Sequence, residues 1–262
     1  MTESKTNILI TGAASGIGLC FLEHFRRQAN TWTIAVDRME IPISRTLDDS
    51  WMSVHADLTD EISLRNVMRE IGDIPIHLVI HSAGIRGLMP PVSEVNDVPS
   101  RETWQAITTS KLVETFNINT AATFSLLKML MGRLIWAGTN DVWMADENGH
   151  PTARCPWVFA PKVVIMTSRM GSVSYNSVGG AYAYRASKAA LNAIVKSFSI
   201  DMPEILFALV HPGRVETGLV EFKEERAMGA EESVGDMLKL IERLELKDSG
   251  RFMDRFGEDI GW

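Results

Sequence analysis

The 262-residue sequence lacks most of the patterns that mark secreted, metal-binding or nucleic-acid-binding proteins. Its two cysteines, Cys20 and Cys155, are too few for a disulfide framework or a paired-cysteine zinc site. The six histidines are scattered without ligand spacing, so no metal site is predicted. The formal net charge of -7 and the lack of a run of lysine and arginine argue against nucleic acid or an anionic membrane as a partner.

Long apolar segments are missing as well. No run is long enough to cross a bilayer, and the polar N-terminal stretch MTESKTN leads directly into a strand-like segment without an apolar signal region. Together with the low cysteine content, this predicts a protein of the reducing cytoplasm. The chain is long enough for a full core and shows no repeat or linker, which predicts one domain over residues 1–262.

The clearest pattern that is present is NILITGAASGIG, at residues 7–18. A short apolar strand leads there into three glycines where a helix should begin. Gly12 allows a tight turn, Gly16 allows a pyrophosphate to approach the backbone, and Gly18 allows the helix to pack closely on the sheet. Nineteen positions after Gly18 a second strand-like run ends on Asp37, which is the distance at which a dinucleotide-binding fold places an acid on the adenosine ribose.

Strand-like and helix-like patterns alternate along most of the chain. This predicts an α/β fold, a Rossmann-type doubly wound parallel sheet of about seven strands with helices on both faces. The predicted strands are 7–11, 32–37, 51–56, 77–81, 162–167, 205–210 and 250–254. The helices for which both ends are predicted are 16–29, 59–68, 111–134 and 233–244. Residues 135–161 interrupt the alternation without a periodic core pattern and are interpreted as a surface excursion.

The most specific chemical feature is the pair Tyr184 and Lys188, which share one face of a predicted helix. An ammonium beside a phenol stabilises the phenolate, so we expect a lowered pKa that suits Tyr184 to exchange a proton with a carbonyl or alcohol oxygen. Ser168 directly follows a predicted strand and is placed to hydrogen-bond that oxygen. Ser172 is a rival for this role, and Ser168 is favoured because of its position at the strand end.

In this order the motifs resemble the short-chain dehydrogenase/reductase family over nearly the whole chain. TGAASGIG at 11–18 matches the family's TGxxxGxG turn, and YRASK at 184–188 matches its YxxxK pair. The resemblance implies a catalytic set of Asn119 in a water-linked proton relay, Ser168 as oxyanion donor, Tyr184 as acid and base, and Lys188 as its electrostatic partner and ribose ligand. The runs at 179–202 and 211–219 are similar to the branch of C-factor-like proteins and sniffer-type carbonyl reductases.

The resemblance also implies a cofactor site, with Asp57 on the adenine and Thr217 on the nicotinamide carboxamide. One departure concerns the family's NNAG turn, which is here HSAG at 81–84. The full predicted set of cofactor residues is Gly12, Ser15, Gly16, Ile17, Gly18, Asp37, Arg38, Asp57, Leu58, Ala83, Gly84, Tyr184, Lys188, Pro212, Gly213, Val215 and Thr217.

The implied function is an NAD(P)-dependent oxidoreductase that transfers hydride between a nicotinamide cofactor and a small carbonyl or alcohol substrate. Asp37 favours NAD(H) because its carboxylate accepts from both ribose hydroxyls and repels a 2′-phosphate, while Arg38 keeps NADP(H) open because a guanidinium can bind that phosphate. Two alternatives stay open, a non-redox step on a specialised metabolite and a nucleotide-binding signalling protein. For the oligomeric state, the resemblance implies a homodimer or a homotetramer, although related carbonyl reductases can be monomeric.

Overall fold

Seven parallel strands form one sheet in this computed structural model, which describes residues 5–43, 50–91, 97–139, 143–145, 151–154, 160–219 and 227–262. The strands of the sheet are β1 (Thr6–Thr11), β2 (Thr31–Asp37), β3 (Trp51–His55), β4 (Leu78–His81), β7 (Lys162–Met166), β8 (Leu206–His211) and β9 (Arg251–Asp254). A separate antiparallel pair consists of β5 (Trp143–Ala145) and β6 (Pro151–Arg154). The order across the sheet is β3-β2-β1-β4-β7-β8-β9, so the predicted doubly wound parallel fold is confirmed.

Helices cover both faces of the sheet. They are α1 (Gly16–Phe25), α2 (Glu61–Ile71), α3 (Thr109–Phe116), α4 (Ala122–Thr139), α5 (Tyr182–Asp201) and α6 (Ala230–Arg243). On β1, Leu9 belongs to the core beneath α2, α4 and α5, while Ile8 and Ile10 belong to the core beneath α1 and α6. Because side chains alternate along a strand, a run that is apolar at every position serves both cores. None of the helices in the described ranges is long and apolar enough to cross a membrane.

The largest differences from the predicted elements concern α1 and the long helix. Helix α1 ends at Phe25 instead of residue 29, and the Thr31 hydroxyl donates to the Phe25 carbonyl at 2.7 Å, which helps to end the helix there. The long helix contains a π-helical turn, Asn117–Ala121, between α3 and α4. It also continues to Thr139. The predicted excursion therefore begins later than residue 135, and its residues 140–142, 146–150 and 155–159 lie outside the described part of the chain.

The strand order places a crevice between β1 and β4. The chain runs outward from β1 to β2 and β3 and then returns to β4 on the other side of β1. Loops that leave β1 and β4 at their carboxyl ends therefore diverge, and in open parallel sheets ligands bind where this happens. The glycine turn after β1 and the HSAG turn after β4 both lie at this point.

Candidate active site

The glycine turn is shaped by contacts that leave no space for side chains. Gly12 and Gly16 have φ angles of +67° and +51°, a region that L-residues with side chains rarely adopt. A Cβ atom on Gly12 would lie 2.8 Å from the Ala83 backbone nitrogen, and one on Gly18 would collide with the Gly12 carbonyl oxygen. The turn is therefore packed directly against the loop that follows β4. Gly12 and Gly16 also line the cleft, where they present backbone without a side chain.

A cleft of about 390 Å³ opens over this turn. Its walls come from the carboxyl ends of β1, β2, β3, β4, β7 and β8, as expected for a nucleotide site. Of the residues predicted from the sequence, those that line the cleft are Gly12, Ser15, Gly16, Ile17, Asp37, Arg38, Asp57, Leu58, Ala83, Gly84, Tyr184, Lys188, Pro212 and Thr217.

Three predicted cofactor residues are used in other ways. Gly18 packs against the glycine turn itself. Val215 forms a β-bridge with Met228. Gly213 has a φ of +93°, and a Cβ atom there would lie 2.6 Å from the Arg255 guanidinium. These residues shape the turns around the cleft rather than its lining.

Asp37 connects the acidic end of β2 to the glycine turn. Its Oδ2 accepts from the backbone N–H of Ala14 at 2.9 Å, and its Oδ1 accepts from the backbone N–H of Met39 at 2.9 Å. A carboxylate has about four acceptor positions, so two remain for the hydroxyl groups of a ligand. The hydrogen bond to Ala14 is a second function of Asp37 that the spacing of the motif did not reveal.

Arg38 and Asp57 both line the cleft. Hydrogen bonds from the Thr59 hydroxyl and backbone amide lower the pKa of Asp57, and the charge of Arg38 lowers it further. Arg38 is exposed to solvent. A cation and an anion thus flank the position that the sequence analysis assigned to the adenosine end of a cofactor.

Tyr184 and Lys188 lie on the buried face of α5, 6% and 4% exposed. Lys188 Nζ donates to the Met166 carbonyl oxygen at 2.9 Å, and burial lowers the pKa of Lys188 to about 8. Burial raises the pKa of Tyr184, and the charge of Arg86 and a hydrogen bond with Ser168 oppose that rise only in part. The expectation of a lowered Tyr184 pKa was therefore wrong, because desolvation of the phenolate outweighs the effects that lower the pKa.

The two candidate serines have different surroundings. Ser168 follows β7, and its hydroxyl is near enough to the Tyr184 phenol to lower the pKa of that group. It also accepts from the Met170 backbone N–H at 3.2 Å. The Ser172 hydroxyl instead donates to the Gly261 carbonyl at 2.5 Å, which fixes the C-terminal segment. The structure thus brings Ser168 to Tyr184 and places Ser172 in a structural contact.

Asn119 lies within the π-helical turn and is fully buried. Its Oδ1 accepts from the Ile85 N–H at 2.8 Å, and its Nδ2 donates to the Ile85 carbonyl at 2.9 Å and to the Ser187 hydroxyl at 3.0 Å. The side chain therefore joins the loop after β4 to helix α5. Its backbone carbonyl accepts from the Thr123 hydroxyl at 3.1 Å.

His81 is the first residue of the HSAG turn, where the family's NNAG turn has asparagine, and it is 1% exposed. Its Nδ1 lies 2.8 Å from the Thr11 hydroxyl and its Nε2 lies 2.8 Å from the Thr123 hydroxyl. Thr123 donates its proton to Asn119, so it accepts from His81, and this assigns the proton to Nε2. Burial and then the charge of Lys188 lower the pKa of His81 to about 3, which keeps the ring neutral.

Sequence reasoning missed an ion pair beside Tyr184. Arg86, which also lines the cleft, forms a bidentate pair with Glu102 with both N···O distances at 2.8 Å. The two residues lie sixteen positions apart and outside every predicted strand and helix, so no periodicity links them. No cluster of three or more metal-ligating side chains occurs among the residues that the structure describes.

The residues present fit a nicotinamide nucleotide. The glycine turn provides bare backbone beside a helix start, which suits a pyrophosphate, and a Cβ atom at Gly16 would already contact the Thr217 methyl group at 3.0 Å. The carboxylate of Asp37 and the buried amine of Lys188 lie along the same cleft. The fold and this cleft define a nucleotide-binding α/β protein of the doubly wound class.

Comparison with known proteins gives the family. The sequence pattern described as short chain dehydrogenase matches residues 6–141, more than half of the chain, and the chain belongs to that family of oxidoreductases. C-signal of Myxococcus xanthus is 46% identical over 103 residues, which cover 38% of this chain and 61% of that protein. For a second relative, a dehydrogenase of Rhodococcus, the match covers 46% of its length, so the chain spans about half to three fifths of these relatives.

Solved structures share the fold over almost the whole chain. An NADPH-bound carbonyl reductase from chicken fatty liver superposes with a TM-score of 0.78 and is 24% identical, with 98% of this chain and 94% of that chain covered. The carbonyl reductase Sniffer of D. melanogaster has a TM-score of 0.74 and 23% identity, with 98% and 100% covered. At such identities the similarity establishes the fold, and the chemistry has to be argued from the site.

Proposed function

We propose that this protein is an NAD(P)-dependent oxidoreductase of the carbonyl reductase type, which transfers hydride between a nicotinamide cofactor and a carbonyl or alcohol carbon. The observation that carries the proposal is the pair of buried side chains Tyr184 and Lys188, which lie one helical turn apart on α5 and both line the cleft, with the Ser168 hydroxyl near enough to lower the pKa of the phenol. A proton donor, a second hydroxyl and a buried cation meet there at the carboxyl ends of the strands, which suits proton exchange with a substrate oxygen.

We assign the cofactor contacts as follows. The glycine turn holds the pyrophosphate, Asp37 the adenosine ribose, Asp57 the adenine, Lys188 the nicotinamide ribose, and Thr217 the carboxamide. Bound in this way, the nucleotide supplies or accepts the hydride. Asp37 has two free acceptor positions for ribose hydroxyls, and we propose NAD(H) as the preferred form.

The chain's own residues handle the proton. In the reductive direction the O–H bond of Tyr184 breaks and a new O–H bond forms on the substrate oxygen, which becomes the alcohol. Ser168 donates a hydrogen bond to the same oxygen while negative charge develops on it. Lys188, with a pKa of about 8, is mostly protonated at neutral pH and stabilises the phenolate that remains.

The proposal is tested by the variant Tyr184→Phe, assayed with NADH or NADPH against a panel of aldehydes, ketones and quinones. Phenylalanine keeps the ring and its packing and removes only the hydroxyl, so we expect turnover to fall by roughly 10²- to 10⁴-fold while nucleotide binding persists. Tyr182→Phe is the matched control, since this side chain lies two positions away on α5 and is 44% exposed. Wild-type turnover in Tyr184→Phe would contradict the assigned role.

A second candidate function is a nucleotide-binding signalling protein. It is favoured by the 46% identity with C-signal, although that match covers 38% of the chain. Tight nucleotide binding by calorimetry, without oxidation of the cofactor on any member of the panel, would support this candidate over the reductase. The intact Ser168 and Tyr184 pair favours the reductase, because binding alone needs no proton donor.

For domain organisation and assembly, we propose one nucleotide-binding domain over residues 1–262 that acts in the cytoplasm as a homodimer. Apolar side chains on α3 and α4 support a subunit interface, since Val113, Phe116 and Phe124 are 58%, 40% and 43% exposed. A monomeric mass by light scattering at micromolar concentration would contradict the dimer.

A further inference from the structure

An arginine and a glutamate form a buried ion pair next to Tyr184. Arg86 lies in the loop after β4, and Glu102 ends the short 3₁₀ turn Pro99–Glu102. Arg86 Nε donates to Oε2 and Nη2 donates to Oε1 of Glu102, each at 2.8 Å. The side chains are only 14% and 11% exposed, so the charges are largely removed from water. Two parallel hydrogen bonds fix the plane of the guanidinium.

The same guanidinium lies over the aromatic ring of Tyr184. Its Cζ is 4.7 Å from the ring centroid, and its Nη1 contacts the Met170 sulfur at 3.1 Å. Lys188 Nζ is 5.8 Å from the same centroid and donates to a backbone carbonyl. Of these two cations, Arg86 is therefore the one that stacks on the phenol.

A cation fixed over a phenol ring stabilises the phenolate more than the neutral ring. The groups that face Tyr184 are Arg86, Glu102 and Ser168 from three loops and Lys188 from its own helix. Burial raises the pKa of Tyr184, Arg86 and Ser168 lower it, and Glu102 raises it. An isolated arginine would be expensive to bury at this position, and the carboxylate of Glu102 compensates its charge.

We propose that Arg86 is a positioning residue that stabilises the phenolate of Tyr184, and that Glu102 holds Arg86 over the ring. This inference rests on the proposed function, because it gives a role to the phenolate that remains after Tyr184 has transferred its proton. The proton passes from the Tyr184 oxygen to the substrate oxygen, and the electron pair of the broken O–H bond stays on the phenolate. Arg86 also lines the cleft, so it restricts what binds beside Tyr184.

The direct test is a titration of Tyr184 that needs no substrate. The chain has three tyrosines, and the ultraviolet difference between the wild type and Tyr184→Phe isolates the tyrosinate signal of Tyr184. In an Arg86→Met background we expect this pKa to rise by about one pH unit, the effect of losing a partly desolvated cation–π contact. An unchanged Tyr184 pKa would overturn the proposal.

Arg185→Met is the matched control, with the same change in charge one residue from Tyr184. Arg185 Nε donates to the Gly180 carbonyl at 3.2 Å, and none of its described contacts joins the Tyr184 ring. We expect the Tyr184 pKa to stay as in the wild type. An equal rise in both variants would show a general effect of charge and would contradict a specific role of Arg86.

Glu102 gives a prediction of the opposite sign. Glu102→Gln keeps one oxygen acceptor for Arg86 but removes the compensating negative charge, so we expect the Tyr184 pKa to fall. If Glu102 had only a structural role, its replacement would not lower this pKa in particular. If that variant does not fold, the double change Arg86→Met with Glu102→Leu replaces the pair by apolar groups, a type of exchange that proteins often tolerate. This double variant should still raise the Tyr184 pKa, by less than Arg86→Met because the opposing charge of Glu102 is removed as well, and no upward shift would refute the proposal.

Kinetics then separate this inference from the proposed function. For reduction, we expect kcat to fall in Arg86→Met and to be partly restored in Arg86→Lys, which keeps the charge. The alkaline limb of the kcat/KM profile should stay in place, because Lys188, with a pKa of about 8, loses its proton before Tyr184 does. A shifted tyrosinate titration without any turnover would support the Arg86 contact and reject the reductase. Turnover with an unshifted tyrosinate titration would support the reductase and reject the role of Arg86.

Discussion

His81 allows a quantitative test of the buried network beside the site. The ring is 1% exposed and is held between the hydroxyls of Thr11 and Thr123. Its pKa is lowered to about 3 by burial and by the charge of Lys188, so the folded protein contains a neutral ring. The variant His81→Asn removes the titrating group and introduces the residue that the family's NNAG turn has at this position.

The sign and size of the effect follow from proton linkage. Below the unfolded-state pKa of about 6.5, unfolding lets His81 take up a proton, so the folded state loses stability as the pH falls. Between about pH 6.5 and pH 4.5 the loss is about 2 kcal/mol, since each full pH unit contributes about 1.4 kcal/mol. This figure hardly depends on the folded-state pKa as long as that value stays below about 4.

The assay is denaturant unfolding at several pH values between these limits. We expect the wild type to lose about 2 kcal/mol more than His81→Asn over this interval, whatever the absolute stability of the variant. His55→Asn serves as the control because the His55 side chain is exposed, and its pH dependence should follow the wild type. Equal slopes for the wild type and His81→Asn would refute the reasoning.

Two further predictions concern the cofactor and the substrate oxygen. Asp37→Asn keeps an acceptor for the Ala14 amide but removes the charge, so the ratio of kcat/KM values should move toward NADPH, and an unchanged ratio would reject Asp37 as the determinant. Ser168→Ala should lower kcat by about 10²-fold or more while Ser172→Ala leaves it close to wild type, because only the former hydroxyl reaches Tyr184. The reverse order would transfer the role to Ser172.

The architecture could be predicted because its signals are local in sequence. The continuous apolar run of β1 specifies a strand buried on both faces, and the glycines that follow it specify the turn. The order of such segments then favours one parallel sheet, and many of the predicted residues that line the cleft lie at or just after strand ends. Each of these inferences needed only neighbouring residues.

Features that depend on tertiary contacts could not be predicted. The π-helical turn that carries Asn119 leaves the apolar pattern of the long helix almost unchanged. The pairing of Arg86 with Glu102 depends on how a loop folds back. The sign of the Tyr184 pKa shift also depends on burial, which the one-turn spacing from Lys188 does not show.

The central claim is transfer of hydride between nicotinamide and a carbonyl carbon. It is tested most directly by incubating the protein with a carbonyl panel and NADH or NADPH that carries deuterium at both positions of the nicotinamide C4, followed by mass spectrometry of the products. We expect an alcohol that is heavier by one deuterium, formed by the wild type and lost in Tyr184→Phe. Products without deuterium, or changes in substrate without oxidation of the cofactor, would contradict it.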